Sequence, residues 1–161
     1  MTLSREKITQ LKEIIAQSLE KLYLNDKLLI DRGGLELSVR FRFAVYLQEL
    51  IKNIDWLSGY QLDAEYDKNG EQPKRIPRRQ NGVRPDIIIH SRGNNNANIL
   101  VVEIKGWWNT TSRDDDYIKL EDFTDQRGEY KYGLGVFLEL NQDNCEPEYF
   151  VNKVKERNNA R

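Results

Sequence analysis

The segment NILVVEIKGWW, residues 98–108, combines the composition of a buried β-strand with two charged side chains. Branched apolar residues fill most of its first seven positions, as is typical of a central strand that is covered on both faces of a sheet. Side chains alternate along a strand, so Glu103 and Lys105 share one face, whereas Ile104 lies on the other. A buried ion pair often only breaks even with an apolar replacement, so stability is a poor reason for these charges. Their arrangement therefore indicates either a functional role or an exposed end of the sheet.

A second apolar strand, RPDIIIH at residues 84–90, precedes this one and carries an aspartate at its start. A hairpin through the polar segment 91–97 would bring Asp86 beside Glu103, so that two carboxylates converge at one edge of the sheet. Magnesium is typically held by one or two protein carboxylates, at about 2.0–2.1 Å. Such an ion lowers the pKa of a bound water and stabilises charge on a phosphoryl oxygen. Lys105 would then position that water or support the developing anion.

The remaining chain supplies helices and strands on both sides of this pair. Hydrophobic periodicity and turn signals predict the following elements: a helix over 5–24, a helix from Glu36 to about Ile54, a strand over 60–68, the strands at 84–90 and 98–105, a helix beginning near Ser112, a strand over 132–140 and a short helix over 148–158. Neighbouring strands commonly pair, and a strand–helix–strand crossover is right-handed, so the sheet should be mixed. We expect an α/β fold, with one mixed central sheet flanked by helices.

Length and composition favour one domain of ordinary size. The 161 residues are 32% charged and have a mean hydropathy of −0.75. We expect a single domain over 1–161 with an N-terminal helical extension at about 1–30. The chain has neither a membrane-spanning apolar run nor a signal-peptide core, so we expect it in the cytoplasm. Cys145 is the only cysteine, which excludes an internal disulfide and a thiolate zinc cluster.

The motif Pro85-Asp86, followed by Glu103-Ile104-Lys105 on the next strand, resembles the PD-(D/E)xK nuclease superfamily. The core of that superfamily, the restriction-endonuclease-like fold, has the order helix, three strands, helix, strand (αβββαβ). The likeness covers roughly residues 33–140. Within it, ELSVRFRFAVYL resembles the first core helix, DAEYDK the first strand, and DYIKLEDFTDQRGEYKYGLGVFLEL the later helix and strand. The nearest likeness is to small bacterial members of undefined role.

The resemblance implies a metal-dependent phosphodiester hydrolase that acts on nucleic acid, and we favour DNA as the substrate. By that likeness Asp86, Glu103 and the carbonyl of Ile104 would bind Mg²⁺, for which Mn²⁺ is a substitute. Lys105 would assist the nucleophilic water. The first core helix of the superfamily contributes a glutamate, here Glu36, which would complete the acidic cluster.

A basic loop precedes the aspartate and is a candidate for contact with phosphates. Its cations are Lys74, Arg75, Arg78, Arg79 and Arg84. Such a cluster adds salt-dependent affinity that carries no sequence information, although a solvated loop has the same composition. Because the formal net charge is −1, a protein partner or a second copy in a homodimer would supply part of the binding.

Two polar residues of the predicted strands have ordinary explanations. Glu65 is expected as an outward-facing sheet glutamate rather than as part of the acidic cluster. His90 is expected as an ordinary sheet histidine, because roughly 13 Å separates it from Asp86 at about 3.3 Å per residue along a strand.

The residues after the charged strand also allow simple interpretations. Trp107 and Trp108 either stack on an unpaired base or, more commonly, cover the apolar edge of the following helix. The acidic run 114–116 is interpreted as a helix-start charge run, favoured by the helix dipole. Lys119 points either toward phosphate or toward solvent.

Two other functions stay open. The same fold with a silent site would be a module that binds nucleic acid or a protein partner without turnover. An ordinary α/β domain with accidental charges would show neither metal affinity nor salt-sensitive binding of DNA.

Overall fold

A computed structural model describes residues 2–157 of the chain. The helices are α1 (Arg5–Asn25), α2 (Lys27–Arg32), α3 (Glu36–Ile51) and α4 (Asp114–Thr124), with a 3₁₀ turn at Asp55–Leu57. The strands are β1 (Gln61–Ala64), β2 (Lys68–Asn69), β3 (Gln72–Pro73), β4 (Ile87–His90), β5 (Asn98–Gly106), β6 (Leu134–Leu140), β7 (Glu148–Val151) and β8 (Val154–Lys155).

Six of the strands form one mixed sheet in the order β1-β4-β5-β6-β7-β8. The pair β5–β6 is parallel, and the other neighbouring pairs are antiparallel. Helix α4 makes the connection between β5 and β6, as the crossover rule requires of parallel neighbours. Strands β2 and β3 form a separate small hairpin. The predicted α/β class with a mixed sheet between helices is confirmed.

Strand β5 lies at the centre of this sheet and is buried along its whole length. On one face, Leu100 and Val102 belong to the larger core, which also contains apolar residues of α1 and α3. On the other face, Val101 belongs to a second core with Leu120 and Phe123 of α4. Two covered faces explain the nearly unbroken apolar run that precedes the charged residues.

Helix α1 belongs to the larger core, so the segment expected as an N-terminal extension is part of the main body. Ser4 caps this helix by accepting a hydrogen bond from the Lys7 amide. Leu11, Ile15 and Leu22 follow the helical period and are fully buried. Residues 1 and 158–161 of the expected domain lie outside the described part of the chain.

The short helix predicted over 148–158 is wrong. The structure has the antiparallel hairpin β7–β8 up to Lys155, and the last residue of that predicted helix lies outside the described range. Asn152 and Lys153 have φ angles of +47° and +70°, the left-handed backbone that two-residue hairpin turns require. Aromatic and β-branched residues before that turn favour a strand, while the charges around them imitate an exposed helix face.

Other elements also differ from the prediction. Helix α3 ends at Ile51 rather than at about Ile54. The strand expected over 60–68 is limited to β1, and its last part belongs to the small hairpin β2–β3. Helix α2, which has only six residues, was not predicted. No helix within residues 2–157 is long and apolar enough to cross a membrane.

Candidate active site

The strand register brings Asp86 and Glu103 together on one face of the sheet. Ile87 pairs with Val102, so Asp86, directly before β4, lies level with Glu103 on β5. The carboxylate Oδ2 of Asp86 accepts a hydrogen bond from the Ile104 amide at 2.7 Å, continuing the ladder where β4 begins. Both acidic residues are buried, with 7% and 1% of their surface exposed. The face that they share is covered by α4.

Glu103 is a buried carboxylate with only one of its oxygens paired. Its Oε2 accepts a hydrogen bond from Lys119 Nζ at 2.8 Å. Its Oε1 is buried and has no hydrogen-bond partner among residues 2–157. Burial, and then the neighbouring Asp86 carboxylate, raise the pKa of Glu103 well above its ordinary value of 4.5. A buried carboxylate anion with an unpaired oxygen destabilises the fold, so a role in packing does not explain why a glutamate stands at this position.

Asp86 is also destabilised as an anion, although it is better partnered. Burial raises its pKa from an ordinary value of 3.8 to about 6, against the lowering effect of the Arg40 guanidinium. Arg40 Nη1 lies 3.1 Å from Asp86 Oδ1. Both oxygens of Asp86 are thus paired, one with a backbone amide and one with an arginine.

Lys105 shares the face of Glu103 and contacts the beginning of α4. Its Nζ lies 2.8 Å from Asp116 Oδ2, an ion pair whose angles are not those of a hydrogen bond. The same ammonium donates to Thr111 Oγ1 at 3.0 Å. Asp116 Oδ1 lies 3.3 Å from Lys119 Nζ. The site therefore contains alternating charges, with α4 supplying one acid and one base.

Helix α3 delivers Glu36 and Arg40 to the end of β5. Glu36 Oε2 accepts hydrogen bonds from the Gly106 amide and from Asn109 Nδ2, each at 3.1 Å. Glu36 Oε1 is 2.7 Å from Arg40 Nη2, and Arg40 in turn contacts Asp86. Glu36 is therefore linked to the carboxylate pair through the guanidinium, and the structure does not place it directly beside them.

The basic loop is not the free cationic surface that the sequence predicts. Lys74 is only 2% exposed, so the expected contact with nucleic acid is wrong for this residue. Its ammonium lies 4.4 Å from the centre of the Tyr66 ring and donates to the Lys68 carbonyl. Burial lowers the pKa of Lys74 to about 8.

Acidic residues pair closely with two of the arginines of the loop, whereas the other two make no close ion pair within residues 2–157. Arg78 Nη2 lies 2.6 Å from the buried carboxylate of Asp122, and Arg79 pairs with Asp115. Acidic residues of α4 thus neutralise these two cations. Arg75 and Arg84 are exposed. Within residues 2–157 Arg75 makes no ion pair, and the contact of Arg84 is a loose one of 3.7 Å to Glu65.

The histidine and the tryptophans have structural roles in this fold. His90 Nε2 lies 2.8 Å from Asp63 Oδ2, and burial lowers the pKa of the imidazole. Trp107 Nε1 donates to the Ile30 carbonyl at 3.0 Å, which ties the end of β5 to α2. The Trp108 ring packs so closely over Gly106 that an added Cβ would lie 2.4 Å from it. The position of His90 agrees with its interpretation as an ordinary sheet histidine. The tryptophans differ from their simpler interpretation, because their contacts are with α2 and the end of β5 rather than with the helix that follows.

Three site residues were missed or misjudged from the sequence. Arg40 follows Glu36 by one helical turn, a spacing that signals an ion pair but not its direction into the sheet. Asp116 is buried against Lys105, so its interpretation as a helix-start charge is incomplete. Lys119 points to Glu103 rather than to solvent.

The donor set at this site fits a small divalent cation. Residues 2–157 contain no group of three or more His, Cys, Asp and Glu side chains that could hold a metal. Two carboxylates and one backbone carbonyl are a different donor set, which suits a cation that keeps several waters. The buried Oε1 of Glu103 has no hydrogen-bond partner in the described chain, so this oxygen is open to a cation. Asp86 lies beside it, and the Ile104 carbonyl lies on the same side of β5 as Asp86.

Comparison with protein-family models, with curated proteins and with solved structures gives no match for this chain. Its function is therefore inferred from the geometry of its own residues.

Proposed function

We propose that this chain is a divalent-metal-dependent phosphodiester hydrolase, a nuclease that acts on DNA. One observation carries the proposal. Glu103 is fully buried beside Asp86, and one of its oxygens has no hydrogen-bond partner among the described residues. Two neighbouring carboxylates with raised pKa values destabilise the fold as anions unless a bound cation compensates their charge. Acids with such perturbed pKa values are concentrated at functional sites.

The order of elements around the site supports the same proposal. Helix α3, strands β1, β4 and β5, helix α4 and strand β6 follow one another as in the αβββαβ core of the PD-(D/E)xK superfamily. The motif residues lie at the adjoining ends of β4 and β5, as the resemblance implies. We therefore propose a restriction-endonuclease-like core, with α1 packed on α3 and the hairpin β7–β8 added at the sheet edge.

Asp86, Glu103 and the carbonyl of Ile104 would hold Mg²⁺ or Mn²⁺. The bound ion would lower the pKa of a water and stabilise negative charge on the phosphate. Lys105 is held 2.8 Å from Asp116 and 3.0 Å from Thr111, so its ammonium is fixed on the face of Glu103. From there it orients the attacking water and supports the developing anion.

Other residues of the site hold or flank this arrangement. Glu36 fixes the end of β5 through the Gly106 amide and reaches Asp86 through Arg40. Arg84 and Arg75 are exposed cations of the basic loop that make no close ion pair within residues 2–157, and they are the residues that we assign to the phosphate backbone.

Cleavage of plasmid and single-stranded DNA in Mg²⁺ or Mn²⁺ tests the proposal. We expect Glu103→Gln and Lys105→Met to lose activity by about 100-fold or more, since each removes a charge that acts on the reacting groups. The matched controls are Glu49→Gln and Lys21→Met, which remove charges of an exposed ion pair. The controls should cleave as the unmodified protein does. Equal cleavage by all five proteins would remove the assignment.

A silent nuclease-fold module is the second candidate, and the ion pairs of the site favour it. The ion pairs are Arg40 with Asp86, Lys119 with Glu103, and Asp116 with Lys105. Protein groups therefore already neutralise the charges of the site. Such a module would bind DNA in a salt-dependent way but would neither bind Mn²⁺ nor cleave. Anisotropy of labelled DNA over a salt series, run beside the cleavage assay, separates the two functions.

A further inference from the structure

Arg40 occupies two of the three oxygens that the proposed function assigns to the metal. Its Nη1 lies 3.1 Å from Asp86 Oδ1. Its Nη2 donates to the Ile104 carbonyl at 3.4 Å. The other oxygen of Asp86 already accepts the Ile104 amide. A cation that binds Asp86 and the Ile104 carbonyl therefore meets the guanidinium at both atoms.

The other cation of the site does not compete in this way. Lys119 contacts Oε2 of Glu103 and leaves Oε1, which has no hydrogen-bond partner within residues 2–157. Lys119 can keep its contact while Glu103 ligates through the second oxygen. Arg40 has less freedom, because each oxygen of Asp86 already has a partner and the guanidinium itself lies on one of them.

Alternative partners for Arg40 lie close by. Glu36 Oε1 is 2.7 Å from Nη2, and Glu65 Oε1 is 3.7 Å from Nη1. Glu65 is partly exposed and also faces Arg84, so it lies at the mouth of the site. The Nε of Arg40 is buried and finds no hydrogen-bond partner in the described chain, so its present position is incompletely satisfied. The side chain can leave Asp86 and still be ion-paired.

We infer that Arg40 is a built-in counter-cation of the metal site, which a divalent ion displaces from Asp86 and the Ile104 carbonyl toward Glu36 and Glu65. The inference rests on the proposed function. Arg40 would thereby control the affinity for the metal, because an ion that takes these two oxygens must displace the guanidinium from them.

Calorimetric titration with Mn²⁺ tests this role without measuring activity. We expect Arg40→Met to bind Mn²⁺ at least roughly tenfold more tightly than the unmodified protein, because a unit charge about 4 Å away in a partly buried site opposes the ion strongly. Arg5→Met is the matched control. Its guanidinium is exposed on α1, and we expect a change within about twofold.

Arg40→Lys keeps the positive charge that contributes to folding, so this variant replaces Arg40→Met in the test if the methionine variant does not fold. A single ammonium cannot span both oxygens as the planar guanidinium does, so this variant should also bind Mn²⁺ more tightly. Unchanged or weaker binding by the folded Arg40 variants overturns the inference and leaves the proposed function intact. An equal gain in Arg5→Met also overturns it, because the effect would then be general electrostatics.

The same titration distinguishes failure of the proposed function. If neither the unmodified protein nor Arg40→Met binds Mn²⁺ at millimolar concentration, the metal site itself is wrong and the inference falls with it. Binding by Arg40→Met alone supports both. Asp86→Asn should bind in neither background, and persistent binding would place the ion elsewhere and overturn the inference.

Discussion

Glu103→Gln is expected to stabilise the fold at neutral pH while it removes activity. Glutamine has nearly the same volume as glutamate but no charge to bury. Glu103 is 1% exposed, and its Oε1 has no hydrogen-bond partner in the described residues. A buried unsatisfied group costs about 1–3 kcal/mol, and more when it is charged. When a chelator removes divalent ions, Glu103→Gln should therefore increase the free energy of unfolding by an amount of this size.

The loss of the Lys119 contact offsets part of this gain. After the substitution, the ammonium of Lys119 still has its ion pair with Asp116 at 3.3 Å, and its side chain is 21% exposed. The ammonium therefore keeps both an ion partner and contact with solvent. Ion pairs of this accessibility contribute about 1 kcal/mol or less. The net expectation is a gain of about 1–2 kcal/mol in the free energy of unfolding.

The pH dependence follows from the raised pKa of Glu103. Its ordinary value is 4.5, and its value in the folded protein is well above that. Above the unfolded value, the native state binds more protons than the unfolded state, so stability falls as pH rises toward the folded value. Glutamine removes this fall. The gain should therefore be present at about pH 7.5 and should vanish near pH 4, where the carboxyl is protonated in both states.

Urea unfolding with EDTA at both pH values measures this effect. Glu49→Gln, at an exposed ion pair, should change stability by less than about 0.5 kcal/mol. A loss of more than 1 kcal/mol or so in Glu103→Gln at about pH 7.5 would refute the reasoning, because the carboxylate would then stabilise the fold. A gain of equal size at both pH values would refute the pKa argument.

Three further substitutions test the surroundings of the site. Lys119→Met should cost about 3 kcal/mol at about pH 8, since it leaves the buried Glu103 anion with no ion partner at 2.8 Å, and the cost in urea unfolding should shrink below about pH 4.5 as the carboxyl becomes protonated in both states. Gly106→Ala should lower the melting temperature by roughly 3–10 °C, because the new Cβ would lie 2.4 Å from the Trp108 ring. Arg84→Met should weaken binding of labelled DNA and reduce the slope of affinity against salt by about one, as expected when one phosphate contact is lost.

Each of these substitutions has a control in the same chain. Lys21→Met removes an exposed ammonium and should leave stability nearly unchanged. Gly59→Ala adds a Cβ that meets nothing within 4 Å. Arg5→Met removes an exposed arginine on α1, away from the basic loop, and should leave the salt slope unchanged. A control that behaves like its test variant would contradict the corresponding explanation.

The centre of the fold was predictable because its signals are local and strong. The apolar runs at β4 and β5 require strands, and the polar segment between them requires a turn. The alternation of side chains then fixes Glu103 and Lys105 on one face. The register of Asp86 follows from the hairpin, because Ile87 pairs with Val102.

The parts that failed depend on tertiary contacts or on a single turn. The left-handed backbone of Asn152 and Lys153 converts a helix-like charge pattern into the hairpin β7–β8. The inward direction of Arg40 depends on how α3 packs over the end of β5, which no local pattern encodes. Lys74 and Arg78 looked free because their partners, Tyr66 and Asp122, are distant in sequence or lie on another element.

The central claim is that Asp86, Glu103 and the carbonyl of Ile104 share one divalent ion. Anomalous diffraction from a crystal soaked in Mn²⁺ measures this directly. We expect a single strong peak bounded by these three residues, with the Arg40 guanidinium moved away from Asp86. A well-diffracting crystal at saturating Mn²⁺ with no peak there, or with its peak elsewhere on the protein, would contradict the account.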